Sequence, residues 1–151
     1  NGTFQLDPNW RLTSSVRLAS DRTFLRRYDI SYDDRLRSMA NLERIDDRSY
    51  LSIAGWYTQT LRPFDVQGQI PIVLPAIDYR RRLGEPVLGG SVELQANTLA
   101  LFRPDGQDTQ RGFASARWDL RRITPLGQMV QFSALARGDV YNSTANALTA
   151  T

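Results

Sequence analysis

Apolar and polar residues alternate along most of the chain, most cleanly from Arg111 to Arg121. Gly112, Ala114, Ala116, Trp118 and Leu120 form one set, and Ser115, Arg117, Asp119 and Arg121 the other. Side chains of a strand point alternately to opposite faces, so the pattern predicts a strand with an oily side and a charged side. Over this stretch the chain extends about 36 Å, long for a soluble strand and the length a tilted strand needs to cross a bilayer. In a membrane barrel the apolar set meets lipid and the charged set lines the lumen, whereas in a soluble sandwich the apolar set meets a core. The alternation alone allows both.

The same rhythm predicts further strands on either side. Asn9 to Ala19 sets Trp10, Leu12, Val16 and Leu18 against Arg11, Thr13, Ser15 and Arg17. Ser20 to Asp34 interleaves aromatics with charges and reads as a structured loop or a short strand pair, its Asp-Asp end suiting a turn. Arg35 to Ile45 is ambiguous. A strand would place Leu36, Ala40 and Leu42 opposite Arg35, Arg37, Asn41 and Glu43, while a helix capped by Asp34 would group Leu36, Met39 and Ala40. Continuity with the next segment favours the strand. Asp46, Asp47 and Arg48 then turn the chain into Ser49 to Leu61, giving a hairpin.

Arg62 to Gln69 is a polar connection, and Ile70 to Arg82 resumes strand character with a bulge, edge or break expected at Pro71 and Pro75. Gly84 to Gly90 is a turn without a phosphate-binding glycine pattern. Ser91 to Arg103 alternates again, Pro104, Asp105 and Gly106 turn the chain, and Thr124 to Gly127 forms a tight turn before Gln128 to Tyr141. The expectation is an all-β antiparallel meander of about seven or eight long strands in one unit spanning residues 1–151, with a weakly patterned end over residues 142–151.

Composition narrows the chemistry. All 19 basic residues are arginine, and the chain has no lysine, histidine or cysteine. A His-based triad, a thiol nucleophile, a Schiff-base lysine, a Ser-Lys pair and a zinc site built on Cys or His are therefore excluded, and no catalytic, metal-binding or cofactor-binding residues are assigned. The net charge of +3 is modest, and the aspartates are interspersed with the arginines. That argues against a nucleic-acid partner, which would call for a concentrated basic stripe. No apolar run is long enough for a transmembrane helix, but barrel strands leave a much weaker hydropathy signal.

Energetics sets the register if the strands do cross lipid. Slipping the strand at Ser115 by one residue would turn Arg117 and Asp119 outward, and an arginine at the midplane costs roughly 2 to 4 kcal/mol. The polar face must then look inward. Tyr50, Trp56, Tyr57, Phe102, Trp118 and Tyr141 lie mostly toward strand ends, where interfacial girdles would put them, although β-propensity and core packing would place aromatics similarly.

Longer stretches carry a family resemblance. The runs S-D-R-T-F-L-R-R-Y-D-I-S-Y-D-D-R-L-R-S at Ser20 to Ser38, L-E-R at Leu42 to Arg44, and S-Y-L-S-I-A-G-W-Y-T-Q-T-L-R at Ser49 to Arg62 resemble the barrel domain of the lipopolysaccharide-assembly LptD (OstA) family. So do I-P-I-V-L-P-A-I-D-Y-R at Ile70 to Arg80, L-G-G at Leu88 to Gly90, and R-W-D-L-R-R-I-T-P-L-G-Q at Arg117 to Gln128. The likeness covers most of the chain and looks closest to alphaproteobacterial members.

The resemblance implies a segment of a large barrel in the cell outer membrane that inserts lipopolysaccharide into the outer leaflet without making or breaking a bond. It implies a plug lipoprotein, LptE, a periplasmic Lpt bridge engaged through a domain not in this chain, and outer-membrane lipid around the wall. The family's seam prolines are not carried onto Pro71 and Pro75, and its disulfide pairing has no counterpart in this segment. Glu93, Gln95, Arg117, Asp119, Arg121, Arg137 and Asp139 are the expected lumen-facing set, able to meet lipopolysaccharide phosphates or plug carboxylates. The competing expectation is that these charges pair with one another across neighbouring strands. A self-contained small barrel or sandwich that binds an apolar ligand is the alternative architecture.

Overall fold

The computed structural model describes residues 1–30, 32–62 and 64–144. Eight strands follow one another in chain order: β1 (Gly2–Asp7), β2 (Trp10–Ser15), β3 (Arg35–Asp46), β4 (Ser49–Thr60), β5 (Ile72–Arg82), β6 (Ser91–Phe102), β7 (Thr109–Ile123) and β8 (Met129–Ser143). They form one antiparallel sheet in the order β1 to β8, a pure meander. Among the described residues the sheet does not close on itself, and both edges are open.

Arg35–Asp46 is a strand, because the helical alternative would have spread Arg35, Arg37 and Glu43 around a cylinder with no partner for its apolar stripe. As a strand it pairs with β4 over its whole length, from Arg35 opposite Thr60 to Asp46 opposite Ser49. One expectation needs correction and two open ones are settled. The strand foreseen over Asn9 to Ala19 stops at Ser15, so Val16 and Leu18 lie in a connection. The eighth strand is β1, at the start of the chain, and not a pair within Ser20 to Asp34. That segment is a structured loop, the first of its two readings, and holds a single helical turn, α1 (Phe24–Arg27). Most of the weakly patterned end, residues 145–151, lies outside the described residues.

Pro75 acts as foreseen, while Pro71 lies just before β5. Ala76 pairs with Ala54 and Val73 with Trp56, so the intervening stretch of β5 carries an extra residue, and the β5–β6 register shifts at the same place. This bulge keeps a proline out of the hydrogen-bonded ladder. Gly55 makes room for it. A Cβ there would lie 2.7 Å from Leu74 Cδ1 and 3.2 Å from the Val73 carbonyl oxygen.

The turns segregate by end. One end carries the connections 8–9, 47–48, 83–90 and 124–128, and the other carries 16–34, 61–71 and 103–108. The Thr124 to Gly127 turn closes through the Gly127 N–H donating to the Thr124 carbonyl at 2.9 Å, with Gly127 at a φ of 78°. Along the short-turn end the hairpins climb the sheet. Carried across the pairings onto β7, Trp10 falls level with Ala114, Ser49 with Ala116 and Ser91 with Asp119, while the last hairpin runs on to Ile123. A stagger of constant sense is the shear that tilted strands need to wrap into a barrel wall.

Among the described residues the sheet has no second layer. Among the described residues only Leu36, Leu61 and Val73 are buried hydrophobics. The chain exposes 11144 Å². A water-soluble monomer of 17.2 kDa is expected to expose roughly 7,800 Å². An excess of this size is incompatible with a sandwich, whose sheets cover each other. The apolar face needs an apolar surrounding that this chain does not itself supply.

Candidate functional site: the polar face of the sheet

Pairing register assigns every strand residue to a face. Glu93 lies opposite Arg117, Gln95 opposite Ser115, Ser115 opposite Arg137, Arg121 opposite Gln131, and Asp139 opposite Phe113. All seven sequence-predicted site residues therefore share one face with Arg11, Asn41, Glu43, Tyr50, Ser52, Asp78, Arg80 and Arg82 of the preceding strands. The opposite face carries Leu12, Leu42, Leu51, Ile53, Ile77, Leu94, Ala116, Leu120 and Phe132.

The charges are organised differently from the cross-strand expectation. Arg117 and Asp119 pair along β7, through Nε to Oδ2 at 2.7 Å and Nη2 to Oδ1 at 3.3 Å. Arg137 and Asp139 repeat this on β8 at 2.9 and 2.7 Å, and Arg80 and Asp78 on β5 at 3.4 and 2.9 Å. Residues i and i+2 of a strand stand on the same face about 7 Å apart. An arginine arm spans that gap and lays its guanidinium edge on both carboxylate oxygens. The spacings D-x-R, R-x-D and R-x-D are visible in the sequence, and opposite charges two residues apart on a predicted strand are the signal that identifies these pairs.

Cross-strand pairing does occur nearer the chain start. Arg11 Nη2 and Nε donate to Glu43 Oε2 at 2.6 and 3.0 Å, and the Tyr50 hydroxyl donates to Glu43 Oε1 at 3.1 Å. The Ser52 hydroxyl donates to Asn41 Oδ1 at 2.8 Å. Arg11, Glu43, Tyr50, Asp78 and Arg80 thus belong to the site without being among its sequence-predicted residues. Arg137 also lies over the Phe113 ring at 4.2 Å and Arg37 over Trp56 at 4.6 Å, so aromatic faces hold cations on this side as well.

Arg121 stands apart. It has no ion pair among the described residues, and it shares a recess with Arg82, Gly89, Ser91, Glu93, Arg117 and Asp119. Arg82 reaches Glu93 only at 3.9 Å. Gln95 lines the same face one pair further along β6, opposite Ser115.

Aromatics divide between faces. Tyr57, Phe102 and Trp118 lie on the apolar face, as a girdle requires, but Tyr50, Trp56 and Tyr141 lie on the polar face, opposite Arg80, Met39 and Arg111. Trp10 and Tyr79 join the apolar set instead. Position near a strand end does not choose a face; parity does. Trp118 donates its indole N–H to the Val87 carbonyl at 2.7 Å, tying the rim to the β5–β6 turn.

At the long-loop end the three connections are laced together. Gln67 accepts from the Thr60 N–H at 2.9 Å and donates to the Thr58 carbonyl at 2.8 Å, which folds the 61–71 connection back on β4. The Thr60 hydroxyl and Arg35 Nη2 reach Asp65 Oδ2 at 3.0 and 3.2 Å. These hydrogen bonds, Thr60 first and then Arg35, hold the Asp65 carboxyl below the usual carboxylate range. Arg62 Nε donates to Asp34 Oδ2 at 3.3 Å, Arg26 pairs with the same carboxylate, and the Asp105 N–H donates to the Gly68 carbonyl at 2.9 Å.

A staggered meander of long strands, apolar on one face and ion-paired on the other, is a segment of a large transmembrane β-barrel. The family model of LPS transport system D, LptD, matches residues 1–151, and the chain belongs to the LptD family. That family transports and assembles lipopolysaccharide at the outer membrane and is not a known enzyme family. No curated protein and no solved structure matches the chain.

Proposed function

We propose that residues 1–151 are adjacent staves of a larger closed barrel that inserts lipopolysaccharide into the outer leaflet, the polar face lining its lumen. The observation that carries this reading is the division of faces across a single uncovered layer. The apolar face gains from lipid contact at about 25 cal/mol per Å², and the other face keeps its arginines and carboxylates hydrated. The open edges at β1 and β8 are where neighbouring strands of the wall would pair.

Connection lengths support an orientation. Barrels of the outer membrane have short periplasmic turns and longer extracellular loops. By that rule the end bearing 8–9, 47–48, 83–90 and 124–128, connections of two to eight residues, faces the periplasm, and the laced cap over 16–34, 61–71 and 103–108, connections of six to 19, faces outward. The recess around Arg121 then opens near the periplasmic mouth, where an unpaired guanidinium meets incoming phosphate. The in-strand pairs Arg117–Asp119 and Arg137–Asp139 present mixed charge to the sugars, and Glu93 and Gln95 complete the wall. Export through such a lumen uses the plug lipoprotein LptE and delivery from a periplasmic bridge.

Photo-crosslinking in cells tests this, with the probe at Arg117 in one full-length protein and at Ala116 in another. The expected result is lipopolysaccharide or plug protein from position 117 and bulk lipid alone from 116. Water-soluble partners from both positions would overturn the barrel.

A further inference from the structure

The apolar face is charged at one end only. Among the described residues of β2 to β8, the register puts four charged residues on it: Arg44 and Asp46 on β3, Arg81 on β5 and Arg122 on β7. All lie at the short-turn end. At the long-loop end the same face has polar residues, but they are neutral: Gln59, Gln110 and Asn142. Because the hairpins climb with the stagger, these arginines follow the rim of the wall instead of entering the apolar band.

β1 adds Asp7, opposite Trp10, so three cations stand against two anions on this face. Arg44 is engaged, with Nη2 3.6 Å from Asp46 Oδ2 and its guanidinium over Trp10 at 5.8 Å. Arg81 and Arg122 are exposed and have no ion pair among the described residues. On the polar face Arg11, Arg80, Arg117 and Arg137 are each satisfied by a carboxylate, with Arg121 the exception among the sequence-predicted residues. Arg81 borders a recess floored by Leu51 and Tyr79, with Arg48 and Asp47 from the β3–β4 turn at its mouth. Arg122 rests against the β5–β6 turn, its Nη2 3.2 Å from where a Cβ on Gly89 would stand.

We infer that this outward-facing rim binds the phosphates of anionic glycerophospholipids in the leaflet on the short-turn side. The inference rests on the barrel reading and its orientation. Charge complementarity selects the occupant. A guanidinium forks onto two phosphate oxygens, adjoining Leu51, Tyr79, Trp118 and Leu120 take the start of the acyl chains, and the aromatic rings sit at headgroup depth. Lipopolysaccharide phosphates would meet the opposite end, whose outward strand residues are neutral. The rim therefore marks the wall as built for an asymmetric bilayer, gripping phospholipid on one side while its lumen handles the glycolipid.

Native mass spectrometry of the full-length protein tests this, with equimolar phosphatidylglycerol and phosphatidylcholine and with lipid A in a parallel arm. The wild type is expected to retain phosphatidylglycerol preferentially. An Arg81→Gln/Arg122→Gln variant is expected to lose the preference by roughly fivefold for each arginine. An unchanged preference in that variant, or none in the wild type, would overturn the rim while leaving the barrel standing, provided the protein inserts into vesicles. Failure of the wild type to insert would overturn both. Preferential retention of lipid A through these two arginines would overturn the leaflet assignment.

Discussion

Ala116 and Ser115 are neighbours at the middle of β7 and point to opposite faces. Ala116 lies between Leu94 and Ala136, all apolar, and Ser115 between Gln95 and Arg137. An arginine placed at Ala116 enters lipid at the midplane and costs roughly 2 to 4 kcal/mol, a factor of about 30 to 900 in the folding equilibrium. The same residue at Ser115 enters the hydrated side. There it adds a cation beside Arg137, whose charge is already balanced by Asp139, so the expected change is within about 0.5 kcal/mol. The assay is urea-dependent unfolding of the full-length protein from phosphatidylcholine vesicles, with Ala116→Arg and Ser115→Arg measured in parallel. Equal costs, or a greater cost at Ser115, would refute the face assignment and the membrane reading with it.

Local geometry has further consequences. A Gly55→Val substitution forces side-chain atoms into Leu74 and the Val73 carbonyl, and it should destabilise the protein by about 1 to 3 kcal/mol by overpacking the β5 bulge; the same vesicle unfolding assay measures it. The loop cap should be acid-sensitive. Asp65 has a folded pKa below its unfolded value, so its contribution is complete above the ordinary carboxylate value near ~3.9 and is lost as pH falls through the lowered one. Pepsin nicking near the exposed Phe64, scaled to an unstructured peptide, should accelerate over that window, and Asp65→Asn should already be fast above it. A variant and wild type with parallel profiles would mean that Asp65 does not hold the cap.

Strand identity and face were determined by the sequence, because period-two alternation is local and needs no knowledge of neighbours. The set from Glu93 to Asp139 was legible for that reason, and so was the bulge at Pro75, since a proline cannot donate to a ladder. β1 was not legible: Gly2 to Asp7 is short and acquires its register only by pairing with β2. Val16 and Leu18 continue the alternation of β2 but belong to a connection, because the register with β3 ends at Ser15 opposite Met39. The in-strand ion pairs, the laced loop cap and the one-sided arginine rim depend on which residues become level across strands. That leveling is fixed by register and stagger, which are properties of the sheet and of no single strand. The absence of a second layer among the described residues was likewise decided in three dimensions, and it turns an alternation compatible with water into one that requires lipid.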